Sequence, residues 1–289
     1  MIKRPTPYGR AAEAEPSGSA RAAARPSSAR RRRLRWRAVL AGAALLAAAI
    51  GAAGCGSPAD AGEASPATLD VFAASSLTEV FTQLGDDFTA AHPDVKVVCN
   101  FAGSSDLVTQ LQQGASADVF ASADTANMEK AGDLAAGAEI FAGNTLAIAV
   151  EQGNPEHITG LADLDRDDLK VVLAAPDVPA GKYAGEILDD AGVSVDPVSL
   201  EVSVKGVVTK ISLGEADAGI VYVTDVAAAK GKIDSVAIPE EENVIASYPI
   251  ATLTGSDDQG AAQAFVDLVL SDEGQQVLAD YGFLPPPAQ

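Results

Sequence analysis

The sequence predicts an α/β protein built as two similar lobes, and three observations lead there. From Leu69 onward, short apolar runs alternate with helical periods, the pattern of a parallel sheet with right-handed crossover helices. The alternation starts afresh beyond the turn-rich stretch Glu151-Gln152-Gly153-Asn154-Pro155, a candidate crossover. Finally, two apolar strands run straight into small residues and serines that open helices, at Phe72-Ala73-Ala74-Ser75-Ser76-Leu77-Thr78 and at Phe101-Ala102-Gly103-Ser104-Ser105-Asp106-Leu107. A helix start leaves backbone N–H groups without partners and carries partial positive charge, so two such starts suggest one site for an anion.

A chain of 289 residues with only 5% aromatic residues must build its cores from Val, Ile, Leu and Ala. Charge is distributed unevenly: eleven of the 20 Lys/Arg but two of the 40 Asp/Glu fall in residues 1–54, which leaves nine and 38 beyond them. The remainder, at net negative 29, excludes a phosphate-neutralising nucleic-acid surface.

Residues 1–37 lack a hydrophobic period and end in the cluster Arg30-Arg31-Arg32-Arg33-Leu34-Arg35-Trp36-Arg37. The apolar run Ala38 to Ala53 follows directly. Basic, then apolar, then small residues is the order of a secretory signal peptide, here 1–54 with a long basic n-region, and sixteen apolar residues are short for a membrane span. The run closes on Ala52-Ala53-Gly54-Cys55, which resembles a bacterial lipobox without its usual Leu three positions before the cysteine. Lipidation at Cys55 is expected, with residues 55–68 as a flexible tether to the membrane; ordinary cleavage and release is the alternative. Cys99, the second of two cysteines, reads as a lone buried thiol, although a disulfide is possible.

The elements then follow in order. Leu69–Ala74 is a strand, and Leu77–Ala91 a helix with Leu77, Val80, Phe81, Leu84 and Phe88 on one face. Strand Val95–Phe101, helix Asp106–Gly114, strand Asp118–Ala121, helix Thr125–Ala131 and strand Asn144–Val150 complete the first half. The second half has strand Lys170–Ala174, helix Gly181–Ala191, strand Leu200–Val202, helix Lys205–Glu215, and strands Ala218–Tyr222 and Ser235–Ile238. Strand Ser247–Leu253 and helices Asp258–Leu270 and Ser271–Tyr281 end the chain. Short, strongly apolar strands fit burial on both faces.

An enzyme has little to draw on. His92 ends a helix before Pro93, His157 lies in a loop after Pro155, and neither has metal or nucleophile spacing. No G-x-S-x-G elbow or glycine-rich phosphate loop occurs. A secreted serine hydrolase using Ser76 or Ser104 therefore lacks a base, and a cytoplasmic ligand-sensing regulator lacks a DNA-binding module. The serines could each be simple N-caps, but both would sit at the C-terminal edge of a parallel sheet, where open α/β folds bind ligands. Pro176 to Ala184 and Val202-Ser203-Val204-Lys205-Gly206 are further loops that enter helices. Tyr222 presents a phenol at the end of a buried strand, where an ordinary core-edge tyrosine would also fit.

FAASSLTEVF, NFAGSSDLVTQLQQGASADVFASAD, VPAGKYAGEIL, GEADAGIVYVTD and DEGQQVLADYGF together resemble the molybdate-binding proteins of bacterial ABC importers, over about Leu69 to Phe283. The resemblance implies a periplasmic-binding-protein type II fold: two doubly wound α/β lobes joined by crossover strands, with the ligand in the interlobe cleft. Residues 69–144 and 249–289 would form lobe 1, and 145–248 lobe 2. It also implies a ligand set of the Ser76 hydroxyl, the Ser104 hydroxyl and N–H, the Ala180 and Val204 N–H groups and the Tyr222 hydroxyl, so that molybdenum enters only as its oxyanion. Ser75 stands where the family commonly has Ala, and Asp106 where Thr is frequent; Asp106 should face outward, since an inward carboxylate would repel a dianion. The implied protein is a monomeric, non-enzymatic, extracytoplasmic lipoprotein without cofactor, handing molybdate or tungstate to a permease and its ATPase. Sulfate, phosphate or ferric iron are the alternative ligands.

Overall fold

The computed structural model describes residues 66–287, so the expected signal peptide, Cys55 and nearly all of the expected tether lie outside the described residues. Two five-stranded sheets organise the chain. The first takes strands β1 (Ala67–Ala74), β2 (Val95–Ala102), β3 (Val119–Ala121), β4 (Ala135–Asn144) and β10 (Ala246–Leu253), in the order β2-β1-β3-β10-β4. The second takes β5 (Leu146–Glu151), β6 (Val171–Ala174), β7 (Ser199–Glu201), β8 (Ala218–Tyr222) and β9 (Ile233–Ala237), in the order β7-β6-β8-β5-β9. Helices α1 (Thr78–Ala91), α2 (Ser104–Gln112), α3 (Thr125–Ala131), α7 (Gln259–Leu270) and α8 (Asp272–Asp280) accompany the first sheet. Helices α4 (Pro179–Ala191), α5 (Val204–Ser212) and α6 (Val223–Ala228) accompany the second.

The sheets are mixed rather than wholly parallel. β1 pairs in parallel with β2 and β3, and β6 with β7 and β8, as the strand–helix alternation predicts. β10 is antiparallel to β3 and β4, and β5 is antiparallel to β8 and β9. These are the strands next to the crossovers, which enter each lobe from the other one and so run against its parallel set.

Three expectations need correcting at this junction. The run read as one strand from Asn144 to Val150 is divided between lobes, with β4 ending at Asn144 and β5 beginning at Leu146. Most of β4 went unread because Ala135-Ala136-Gly137-Ala138 carries no alternation of apolar and polar residues. The crossover is therefore at Thr145, and the Glu151–Pro155 segment is a turn inside the second lobe, with Gly153 and Asn154 both at positive φ. The return occupies residues 238–245, and β10 starts at Ala246, ahead of the expected boundary at 249. Pro249 lies inside β10 at a register shift against β4, where a missing N–H is tolerated. Asn243 ties the two crossings together: its Oδ1 accepts from Leu146 N at 3.2 Å and its Nδ2 donates to Leu146 O at 2.8 Å.

Burial follows the sequence periods. Val80, Phe81, Leu84 and Phe88 of α1 are buried against the first sheet. Phe81 and Phe88 meet Phe265 of α7 edge-on at 5.9 and 5.6 Å between ring centroids. Helix α4 begins with Pro179 at its first position and ends at Gly192 in the left-handed conformation. Its third residue, Gly181, touches the end of β6: a Cβ there would lie 2.1 Å from Ala175 O and 2.3 Å from Ala174 O. Gly181→Ala should therefore destabilise the protein by about 1–3 kcal/mol in urea denaturation, and an unchanged midpoint would show that the helix start can shift freely.

Candidate functional site

The carboxyl ends of the parallel strands converge between the lobes. β1 runs into a short 3-10 turn, Ser75–Leu77, and then α1; β2 runs into Gly103 and α2. From the other lobe, β6 leads to α4, β7 to α5, and β8 ends on Tyr222. Ser76, Ser104, Ala180, Val204 and Tyr222 line one small cavity, together with Ala74, Ser75, Gly103, Ala123, Val178 and Pro179. No charged side chain is among them. A larger hollow of about 540 Å³ lies along α1, α6 and residues 280–283. Its lining is mostly apolar, whereas the donors converge in the smaller cavity.

Helix capping explains why those donors are free. Elsewhere side chains satisfy the first turn: Asp124 accepts from Asn127 N, Asp258 from Ala261 N and Ser271 from Gly274 N. Of the helices that face the cavity, α2 and α4 lack such caps. Gly103 before α2 and Val178 before α4 provide no side-chain acceptor. α5 has the same cap, from Ser203 to Gly206 N, and a cap of that kind leaves the first amide, Val204 N, at the opening. The first N–H groups of a helix have no intrahelical partner, so these amides remain available.

The hydroxyls are arranged in the same sense. Ser104 Oγ accepts from Ala123 N at 3.1 Å, which leaves its hydrogen to donate. Ser76 Oγ lies 3.0 Å from the hydroxyl of Tyr248. Tyr222 is 1% exposed, and its hydroxyl is buried without a hydrogen-bond partner among the described residues. An orphaned buried donor costs roughly 1–3 kcal/mol unless something bonds to it. Burial pushes the phenols of Tyr222 and Tyr248 well above the usual tyrosine range, so both stay protonated. The cavity thus presents donors and no carboxylate.

Interlobe contacts close it. The backbone of Gly103 approaches the other lobe so tightly that a Cβ would lie 2.3 Å from Val202 O. Lys205 Nζ on α5 reaches across to both carboxylate oxygens of Glu79 on α1, at 3.0 and 2.9 Å. The same ammonium stands 3.4 Å from Asp225, whose side chain is fully buried. Burial pushes the Asp225 carboxyl up to about 6, with Lys205 pulling the other way. Asp106, in the first turn of α2, faces solvent.

Tyr248, Asn144, Thr224, Glu79, Lys205 and Asp225 carry no signal in the sequence. Ser76 and Tyr248 are 172 positions apart, and Lys205 and Glu79 are 126 apart. The histidines lie elsewhere: His92 stacks on Phe88 at 4.2 Å, and His157 is an exposed loop residue at φ 54. Neither Ser76 nor Ser104 has a histidine at hydrogen-bond distance among the described residues. Cys99 is a free, half-buried thiol pushed up to about 11 by burial, with Asp86 adding to the shift.

Two α/β lobes that enclose a donor-lined cavity at the carboxyl ends of their strands define a ligand-binding protein of the periplasmic type. The chain belongs to the family of bacterial extracellular solute-binding proteins, whose model matches residues 69–284. It is 44% identical over 261 residues to the molybdate-binding protein ModA of Mycobacterium tuberculosis strain H37Rv, spanning 88% of this chain and 100% of that one. The Escherichia coli molybdate-binding protein ModA is 31% identical over 263 residues, covering 86% of this chain and 98% of its own. Among solved structures, the Azotobacter vinelandii periplasmic molybdate-binding protein superposes with a TM-score of 0.64 at 20% identity, over 75% of this chain and 99% of that one. The sulfate-binding protein SubI of Mycobacterium tuberculosis gives 0.67 at 18% identity, over 76% and 87%. At those identities the superpositions speak for the fold alone.

Asp225 yields a pH test. Its pKa is higher in the folded protein than the 3.8 of a free side chain, so its contribution to stability is complete below about pH 4 and is lost as pH rises through about 6. The melting temperature of Asp225→Asn relative to the native protein should rise between those values, by up to about 3 kcal/mol in stability. A difference that stays flat with pH would show that Asp225 keeps an ordinary carboxylate pKa.

Proposed function

We propose that the protein is an extracytoplasmic, lipid-anchored receptor that captures molybdate between its lobes and delivers it to an ABC permease driven by an ATPase. The observation that carries this reading is the chemistry of the cavity: hydroxyls and helix-start amides from both lobes, no carboxylate, no cation, and a buried Tyr222 hydroxyl lacking a partner. A tetrahedral dianion offers only acceptors, so a lining of donors is its complement. Fixed dipoles in a closed cavity stabilise it without a counter-charge. The names of the ModA relatives support molybdate as the ligand.

In this reading, Ser76, Ser104, Ala180, Val204 and Tyr222 bind the oxygens, and the lobes close by a hinge at the crossovers. Surface acidity does not oppose capture, because charge beyond roughly 8–10 Å is screened while the donors act at contact. Tungstate has nearly the size and shape of molybdate and should bind as well. Among the described residues no cluster of His, Cys, Asp or Glu converges as a bare metal ion would require, which gives ferric iron no support.

Calorimetry on the protein decides the ligand: heat with molybdate and tungstate is expected, and binding of sulfate alone would overturn the assignment. Ser76→Ala and Tyr222→Phe should each cost about 1.5–3 kcal/mol of binding, roughly tenfold to a hundredfold in Kd. Unchanged affinity in both would mean the anion lies elsewhere. For the anchor, Cys55→Ser should move the protein from the membrane fraction to the soluble one, and retention would point to an uncleaved membrane segment.

A further inference from the structure

The two jaws of the cavity are joined by charge one step behind the ligand set. Val204 opens α5 and Lys205 follows it; Ser76 precedes α1, and Glu79 lies in the first turn of that helix. The Lys205 ammonium spans the lobes to both oxygens of Glu79 at 3.0 and 2.9 Å, a charge-assisted geometry stronger than a neutral hydrogen bond. Among the described residues, Lys205 is the one cation within ion-pairing distance of Glu79. Its own lobe holds it from behind. Asp225 of α6 stands 3.4 Å away with its side chain fully buried, and neither carboxylate oxygen has a hydrogen-bond partner among the described residues. A carboxylate so placed depends on that ammonium, because an ionised group without a counter-charge is costly to keep out of water. Glu79 is different. Its side chain is 36% exposed, and a hollow of about 370 Å³ between α1, α5 and residues 225–232 lets water reach it as soon as the pair parts.

We infer that Glu79 and Lys205 are positioning residues that form a latch between the lobes and set how long the closed protein retains its oxyanion. With one partner on each lobe, bonds of 2.9 and 3.0 Å exist only while the starts of α1 and α5, and with them Ser76 and Val204 N, stand at their present separation. Parting the lobes breaks the latch on one side: the ammonium stays with Asp225 in the second lobe, while the glutamate leaves with the first and is rehydrated. Opening forfeits one partly screened ion pair, which slows release without making it irreversible. The pair forms again only on closure, so it acts on departure of the ligand rather than on its arrival. Charge alone argues for the opposite effect. Glu79 is an anion beside an anion site, and simple repulsion from it would hasten release. The inference rests on the oxyanion reading of the cavity and adds to it the residues that govern the release rate.

Release is read by loading the protein with radiolabelled molybdate and chasing with unlabelled molybdate, at mildly alkaline pH, above the titration of Asp225. Glu79→Gln should release molybdate about twofold to fivefold faster with an unchanged association rate, the scale of one partly exposed ion pair. The pairing is isolated by repeating the change without the ammonium. In Lys205→Met combined with Asp225→Asn, which strands no buried charge, Glu79→Gln should have no further effect. Release unchanged or slowed by Glu79→Gln in the native background overturns the latch. So does an equal acceleration in the background without the ammonium, which would trace to the start of α1. If that background does not fold, Glu79→Lys takes its place: repulsion across the lobes should speed release beyond that of Glu79→Gln, and release no faster than in Glu79→Gln overturns the latch. Each of these failures leaves the oxyanion reading standing, whereas a native protein that binds no oxyanion overturns both.

Discussion

Binding an anion without a cation depends on backbone amides that their own helices cannot satisfy. Every α-helix has such amides at its start, and α3, α7 and α8 cover part of them with an Asp or Ser side chain. The cavity is built from the exceptions. Gly103 and Val178 stand where a capping side chain would otherwise be, and the amides behind them open onto the space between the lobes. Two parallel sheet segments with their carboxyl ends face to face bring these helix starts together, which is why the lobes are paired as they are.

The same constraint explains the importance of direction in the hydroxyls. A hydroxyl can donate or accept, and an amide cannot, so a serine becomes a dependable donor only when something else occupies its lone pairs. Ala123 N occupies one lone pair of Ser104, and Ser76 Oγ lies beside the Tyr248 hydroxyl, which Asn144 Nδ2 also meets. The cationic contact at the site's edge has a different role. Lys205 sits between a half-exposed glutamate of one lobe and a buried aspartate of its own, where it joins the lobes and shields Asp225 without facing the ligand.

Much of this was legible in the sequence, and what escaped did so for physical reasons. Helix α3 was read with its bounds intact, since a seven-residue amphipathic stretch behind an Asp cap carries both period and boundary. The segments Phe72–Thr78 and Phe101–Leu107 are local, so strand, turn and helix start could be read from consecutive residues. β4 begins in alanines and glycine that carry no period, and its true partner is β10, more than a hundred positions away. The turn-rich Glu151–Pro155 drew one crossover candidate away from Thr145 for a related cause: Asn144 and Leu146 belong to different lobes, yet only Thr145 separates them. Ser76 and Tyr222 could be singled out, but the residues that orient them could not. Tyr248 reads as one more aromatic in an apolar strand, and its partner Ser76 becomes a neighbour only when the sheet forms.

The clasp made by Asn243 has a mechanical consequence. By bonding to both backbone atoms of Leu146, one side chain laces the outgoing and returning chains into a narrow two-stranded ribbon. Two separate threads would let the lobes twist and slide as well as part. A laced ribbon bends easily across its flat face and resists shear, so in the proposed hinge closure it would steer the lobes along one arc and bring the same donors to the same positions.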